Sequence, residues 1–475
     1  MIETINEIAL RSYTAFLELK KTNLKQRAAL MNAIADEIEA LGAELIQTAS
    51  SETNLPEGRL TGEKGRTVFQ WRNYADALES GYVLNSRIDT AIPEKVPPRP
   101  DIRKTYFGLG PVVVFGASNF PYSFSTAGGD TASAIAAGCS VIIKGHPAHP
   151  KTAKMMGDAI QRGIQKTGFH KDTFAQVFSY EAGSELILHP LVKAVTFTGS
   201  FKGGKALFDL ANSREEPIPV FAEMGSVNPI FVLPQKMKSS PAQIVTDYLA
   251  SLTMGVGQFC TNPGILIIPE EHGDFLSIIR EEAKKIQVGK MLHPGISEAF
   301  AQNKNKLLGQ KNIEVISECD ASLALTYADD FLSNDSLQEE VFGPFGLIVV
   351  YKSTSQLVKI AKKLKGQLTA TILGEAEEIG DYEELILNIT EKCGRLLFNG
   401  YPTGVEVATS MQHGGPFPAT TDSRFTSVGA DAIRRFARPV AYQNVPDQYL
   451  PDELKHGNPL QLPRWVNGEI TKQAI

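Results

Sequence analysis

The residues best placed to do chemistry are few and far apart in the chain. Cys260 lies in the stretch MGVGQFCTNPG, Met254 to Gly264, between an aromatic residue and a threonine, with glycines at Gly255, Gly257 and Gly264. A cysteine kept for packing sits in an apolar run. Glycines around a thiol instead allow positive φ and close backbone approach, the setting of a nucleophile. Glu223, in FAEMGSVNP, follows apolar neighbours at a strand end, where desolvation would raise its carboxyl toward the range of a general base. A solvated strand-end glutamate is the alternative. Asn119, in GASNFP, falls between a strand and a helix, where its amide either points at a developing oxyanion or caps the helix. Lys144 ends SVIIK and either reaches a phosphate or ribose or is merely solvated.

These residues need a scaffold, and the apolar pattern predicts an α/β one. Leu30, Ile34, Ile38, Leu41 and Leu45 recur at helical spacing, and roughly the first eighty residues read as helical. AIPEKVPPRP crowds four prolines together and marks an extended excursion. GPVVVFG, then a small-residue helix, then SVIIK make one βαβ unit with buried parallel strands. FAQVFSY, KAVTFTGS, NPIFVLP, GILIIP and FGLIVVY continue the alternation. The tail HGNPLQLPRWVNGEITKQAI has few helix signals and reads as an extended arm.

Bulk properties exclude several classes. The 475 residues exceed one ordinary core, so more than one domain is expected. A net charge of −6 with interspersed signs offers no stripe for nucleic acid. Cys139, Cys260, Cys319 and Cys393 are widely spaced and lack metal-ligand companions, so neither a disulfide framework nor a metal is expected. The N-terminal stretch does not read as a signal peptide, and no apolar run is long enough for a membrane span. The expectation is a cytoplasmic protein.

The order Asn119, Glu223, Cys260, with FTGS, EEVFGP and FNG at their respective places, resembles the aldehyde dehydrogenase superfamily over nearly the whole chain. The resemblance implies a Rossmann-type cofactor domain (residues 1–81 and 102–224), a related α/β catalytic domain (225–435) and oligomerisation segments (82–101 and 436–475). It assigns the nucleophile to Cys260, the general base to Glu223 and the oxyanion amide to Asn119. Cofactor contacts fall to Lys144, His146, Gly199, Ser200, Gly204, Glu340 and Phe342. The implied cofactor is NADP, because NAD-selective relatives carry a glutamate three residues after the strand-end lysine, and here that residue is Pro147. A small aldehyde substrate and a homodimer or homotetramer follow from the same resemblance. A glutamate base implies release of a free acid rather than transfer to coenzyme A.

The chain departs from the common pattern at Ser118, where an aromatic is usual, and at EMGSV, where Ser226 and Val227 replace glycine and lysine. GQFCTNPG, NGYPTGVEV and HGGPFPATTDSRFTSVG resemble instead the branch that oxidises 2,5-dioxopentanoate, and more loosely the NADP-dependent long-chain enzymes of luminous bacteria. An anionic substrate needs a cation at its far end, and Arg424 is one candidate. A competing class is a cysteine hydrolase pairing Cys260 with a histidine such as His413, although nothing in the sequence orients that histidine.

Overall fold

Strand order in the sheets explains how such distant residues can meet. The computed structural model describes residues 4–475. Four helices come first, Ile5–Leu19, Leu24–Glu39, Ala43–Thr53 and Glu57–Glu79. The first two begin with capping boxes, Thr4 with Glu7 and Asn23 with Gln26, which satisfy backbone donors at each helix start. The apolar period from Leu30 to Leu45 crosses a break: the helix ends at Glu39, and Gly42, in extended conformation, starts the next. The fourth helix places Arg59, Glu63 and Arg66 on one face by its i, i+4, i+7 spacing. Trp71 anchors that helix by donating its indole N–H to Ala127 O at 2.8 Å.

Five parallel strands form the first sheet, in the order Phe174–Val177, Val141–Lys144, Val112–Phe115, Ala194–Thr198 and Val220–Glu223. The earliest strand is central and the chain winds outward to either side of it. That reversal opens a crevice at the carboxyl ends of the strands, where ligands of doubly wound sheets bind. Asn119, Lys144, Gly199 and Glu223 all lie at those ends. The second sheet has seven strands, with Ile230–Val232 and Ile265–Pro269 at its middle. Only Glu314–Glu318 runs antiparallel, at one edge. Apolar clusters fill both faces of the second sheet.

A third sheet joins Ala437–Gln443, Ile102–Gly108, Arg87–Asp89, Arg464–Val466 and Glu469–Thr471. It therefore unites the proline-rich excursion with the tail, and it continues through Gly108, beyond the expected boundary at residue 101. The boundary expected at 435 also differs from the packing: Ala430, Ala432, Ile433 and Phe436 return to the core around the first sheet, beside Leu30 and Trp71. No helix among the described residues is long and apolar enough to cross a membrane.

Candidate active site

The cysteine loop is built from backbone that only a few residues tolerate. After the helix Pro241–Thr253, residues Gly255, Val256 and Gly257 take φ of +56°, +61° and +65°. Left-handed backbone is free for glycine and costs a β-branched residue about 1–2 kcal/mol, so Val256 is held there by its surroundings. A Cβ on Gly257 would lie 2.3 Å from the carbonyl carbon of Gly343. That glycine thus serves a contact between backbones rather than the approach of a ligand. Asn228 Nδ2 donates to Cys260 O and Asn262 O, each at 2.9 Å, and Gln258 Oε1 accepts from Leu292 N–H at 3.0 Å. The loop is pinned on both sides of the thiol.

Ser226, a departure from the family pattern, has a structural use. Its hydroxyl lies 2.9 Å from both Gln367 Oε1 and Asn228 Oδ1 and accepts from Leu368 N–H at 3.0 Å. Gln367 Oε1 also accepts from Val227 N–H at 2.8 Å. This network fixes the residues between Glu223 and Asn228.

His413 arrives on a strap, residues 413–428, that crosses from the second sheet back to the first. The strap pairs with the strand Val220–Glu223 through Met224 N–H to Ala419 O at 2.8 Å and Thr421 N–H to Ala222 O at 3.1 Å. Gly414 and Gly415 let it pass: a Cβ on Gly415 would stand 2.1 Å from Gln367 O. His413 Nε2 then lies 3.6 Å from Cys260 Sγ and 3.0 Å from Glu223 Oε1. The Glu223 contact is close enough for charge pairing but off the line of a hydrogen bond. Glu223 Oε2 accepts from the Ser427 hydroxyl at 2.8 Å. The histidine that the sequence left unoriented is thus held against both the nucleophile and a carboxylate.

The electrostatics correct one expectation. Burial alone would raise the Glu223 carboxyl, but His413, the Ser427 hydroxyl and Cys260 together outweigh it and hold it below the ordinary carboxylate value. Glu223 is therefore ionised. Burial, and next the Glu223 charge, push the Cys260 thiol well above its usual value. Such a thiol needs a proton acceptor, and His413 Nε2 stands at its sulfur. A group with a raised pKa keeps its proton until the pH passes that value. In a His413→Asn chain the onset of Cys260 alkylation by iodoacetamide should accordingly move to more alkaline pH, with the rate at pH 7.5 falling roughly 10- to 100-fold. An unchanged pH profile would remove His413 from this role.

Asn119 meets the cysteine loop directly. Its Nδ2 donates to Gln258 O at 3.0 Å, and Arg59 Nη2 donates to Asn119 O at 2.7 Å. One amide hydrogen orients the side chain, leaving the second for another acceptor. Gly128, not Asn119, caps the following helix. Among the described residues the Cys260 N–H meets no acceptor. Arg424 stands away from this centre, its side chain 79% exposed and bound to Asp422.

Of the residues expected to hold a cofactor, Lys144 and Gly199 lie at the carboxyl ends of the first sheet's strands. Lys144 is buried, forms no ion pair among the described residues, and sets its ammonium 4.3 Å from the ring centre of Tyr180, an exposed aromatic that the sequence did not single out. Gly199 and Ser200 precede the helix Phe201–Asn212, and the Ser200 hydroxyl accepts from Gly203 N–H at 3.2 Å. A Cβ on Gly204 would lie 2.6 Å from Met224 Cγ, so this glycine serves helix-to-strand packing. Glu340 and Phe342 border a small recess with Ser226 and Asn262. Burial pushes Glu340 up to about 7. Its Oε2 sits 2.3 Å from where a Cβ on Gly225 would be. His146, expected among the cofactor contacts, lies in a cluster of histidines. Burial takes it down to about 3, its Nδ1 accepts from Ala148 N–H at 3.1 Å, and its ring packs against His149 and His293. The lysine without an ion pair, the exposed aromatic and the helix start behind Ser200 fit an anionic nucleotide. The donor atoms of Glu223, Cys260 and His413 also lie within 4.8 Å of one another, the spread of a proton relay and equally of a three-ligand metal set.

A doubly wound sheet facing a cysteine loop, with an ionised glutamate and a histidine on the thiol, defines an enzyme of cysteine-dependent covalent catalysis. The chain belongs to the aldehyde dehydrogenase family, whose model matches residues 2–417. It is similar to the α-ketoglutaric semialdehyde dehydrogenase of Acinetobacter baylyi, at 44% identity over 99% of this chain and 92% of that protein. It is 45% identical to α-ketoglutaric semialdehyde dehydrogenase 2 of Azospirillum brasilense, over 98% of this chain and 91% of the other. Its fold matches that of succinic semialdehyde dehydrogenase from Streptococcus pyogenes, solved with NADP+, with a TM-score of 0.76 at 16% identity over 94% of this chain and 96% of that one.

Proposed function

We propose that this enzyme oxidises α-ketoglutaric semialdehyde (2,5-dioxopentanoate) and water to 2-oxoglutarate, reducing NADP. The observation that carries the chemistry is the Cys260 thiol lying against His413, with the ionised Glu223 beside it. The substrate rests on likeness to two proteins of that name along almost their full length.

His413 takes the thiol proton on Nε2, which lies 3.6 Å from the sulfur and 3.0 Å from Glu223 Oε1. The sulfur adds to the aldehyde carbon, and the new oxyanion is met by the free Asn119 amide hydrogen and the Cys260 N–H. An oxidised nicotinamide held in the crevice would supply the hydride acceptor. Lys144, with Gly199 and Ser200, would hold the phosphates, and Glu340 and Phe342 the nicotinamide end. Cys260 is then left as a thioester. Glu223, within reach of the same sulfur, activates the water that releases the acid and frees the thiol.

NADP is favoured because Lys144 is unpaired by any carboxylate in the described residues and Pro147 replaces the glutamate that would repel a 2′-phosphate. Steady-state rates for 2,5-dioxopentanoate, succinate semialdehyde and decanal, each with NADP and NAD, test the whole reading. Its expected result is the highest kcat/KM for 2,5-dioxopentanoate with NADP. Preference for decanal would instead mark a long-chain enzyme, and an NAD preference of tenfold or more would overturn the cofactor assignment.

A further inference from the structure

A cavity of about 220 Å³ lies where the N-terminal helices meet the third sheet. Gly108 and Gly138, which precede two strands of the first sheet at their amino ends, both line it, so it opens on the side of that sheet away from the crevice. One water needs roughly 10–15 Å³ of such space, so there is room for a small molecule. The walls are of two kinds. Leu19, Leu24, Leu78, Val83 and Leu460 make an apolar side, while Arg27 and Glu453 bring opposite charges.

Arg27, on the helix Leu24–Glu39, donates Nη1 to Ala136 O at 3.1 Å. Its guanidinium lies over Gly138, whose φ is +89° and where a Cβ would stand 2.6 Å from Nη1. Only glycine leaves that space. Arg27 Nε is buried with no hydrogen-bond partner, and the side chain forms no ion pair among the described residues. Burial pushes the guanidinium below its ordinary value, and the Glu453 charge offsets part of that. A guanidinium nevertheless stays charged in a protein, and a buried donor without an acceptor is costly.

Glu453 lies in the turn Asp452–Leu454 and accepts from the Thr105 hydroxyl at 3.1 Å through Oε1. It too forms no ion pair among the described residues, whereas Asp452 beside it is paired with Lys455 at 2.6 Å. Lys20 and Lys21 stand at the exposed rim. Arg27 and Glu453 therefore act on each other electrostatically without meeting.

We propose that this cavity binds an α-amino acid with an apolar side chain, its carboxylate on Arg27, its ammonium on Glu453 and its side chain against the leucines. A zwitterion supplies both missing partners at once, each through a charge-assisted contact. A simple carboxylate would leave Glu453 unanswered. The bound molecule would tie the helix Leu24–Glu39 to the third sheet, so it should act on stability.

Calorimetry with L-leucine tests this, against 4-methylpentanoate, which lacks the ammonium, and isopentylamine, which lacks the carboxylate. Leucine should bind with a Kd of about 1 mM or below, and each analogue about 10-fold or more weakly, the usual loss for one charge-assisted contact. Arg27→Met and Glu453→Gln should each weaken leucine to the same extent, and leucine should raise the thermal unfolding midpoint of the wild type more than that of either variant. Arg27→Met also gives up the bond to Ala136 O; if that chain fails to fold, Glu453→Gln carries the test alone. Equal leucine affinity in wild type and Glu453→Gln, or 4-methylpentanoate bound as tightly as leucine, overturns the proposal. So does the absence of heat at about 10 mM leucine, and a smaller sedimenting species in Arg27→Met would then give the cavity to a second copy of the chain.

Discussion

Cys260→Ala is expected to lose aldehyde oxidation by roughly 10⁴-fold or more, because the covalent route disappears with its sulfur. No other thiol can stand in. Cys139 is buried in the core of the first unit with its Sγ directed to Phe436 O, Cys319 is exposed, and Cys393 begins a strand of the second sheet. Alanine leaves the loop intact, since the bonds from Asn228 go to backbone carbonyls, Cys260 O among them. The variant should therefore fold normally, still bind nucleotide in a fluorescence titration, and yield no burst of reduced cofactor. A burst of wild-type size would exclude Cys260 as the nucleophile.

Glu223→Gln should separate the two halves of the reaction. The amide keeps the shape and can still accept from the Ser427 hydroxyl, but the charge beside His413 and Cys260 is gone. Acylation should persist and give about one equivalent of reduced cofactor per site, while steady turnover falls some 10²- to 10⁴-fold, the usual worth of a positioned base. Rapid mixing with absorbance detection distinguishes the phases. Undiminished steady turnover would take Glu223 out of thioester hydrolysis.

What could be read from the chain itself depended on the range of the signal. The cysteine loop, Asn119 and the strand ending in Glu223 announce themselves within about ten residues, through glycines and apolar runs. His413 lies 153 residues from Cys260 in sequence. Its place depends on where a strap folds back, and the only local hint was the glycine pair that follows it. Apolar neighbours suggested a raised Glu223, and the opposite sign came from His413 and Ser427, neither of them adjacent in sequence. Strands such as Ser322–Tyr327 and Gln367–Leu373 interleave threonines with apolar residues. Thr326 and Thr369 find partners only in the folded sheet, at Asn312 O and at Asn228 Oδ1, 3.2 and 2.9 Å away. Arg59 and Arg66 are invisible for a similar reason: on a helix rich in charge, nothing marks the guanidiniums that turn inward to Asn119 O and Val405 O.

The strap carrying His413 makes catalytic competence a matter of local rather than global stability. It is tied to the first sheet by backbone pairs around Ala419 and Thr421, by the Thr421 hydroxyl, by Phe425 against Phe221 and by the Ser427 hydroxyl on Glu223. A segment held this way can open at a free energy well below that of the whole fold. Each opening would carry the imidazole away from the sulfur while both sheets stay intact. The thiol would then keep its proton, so a warmed or mildly denatured population can hold native helix content and be chemically silent, its nucleophile guarded by the same excursion that disables it.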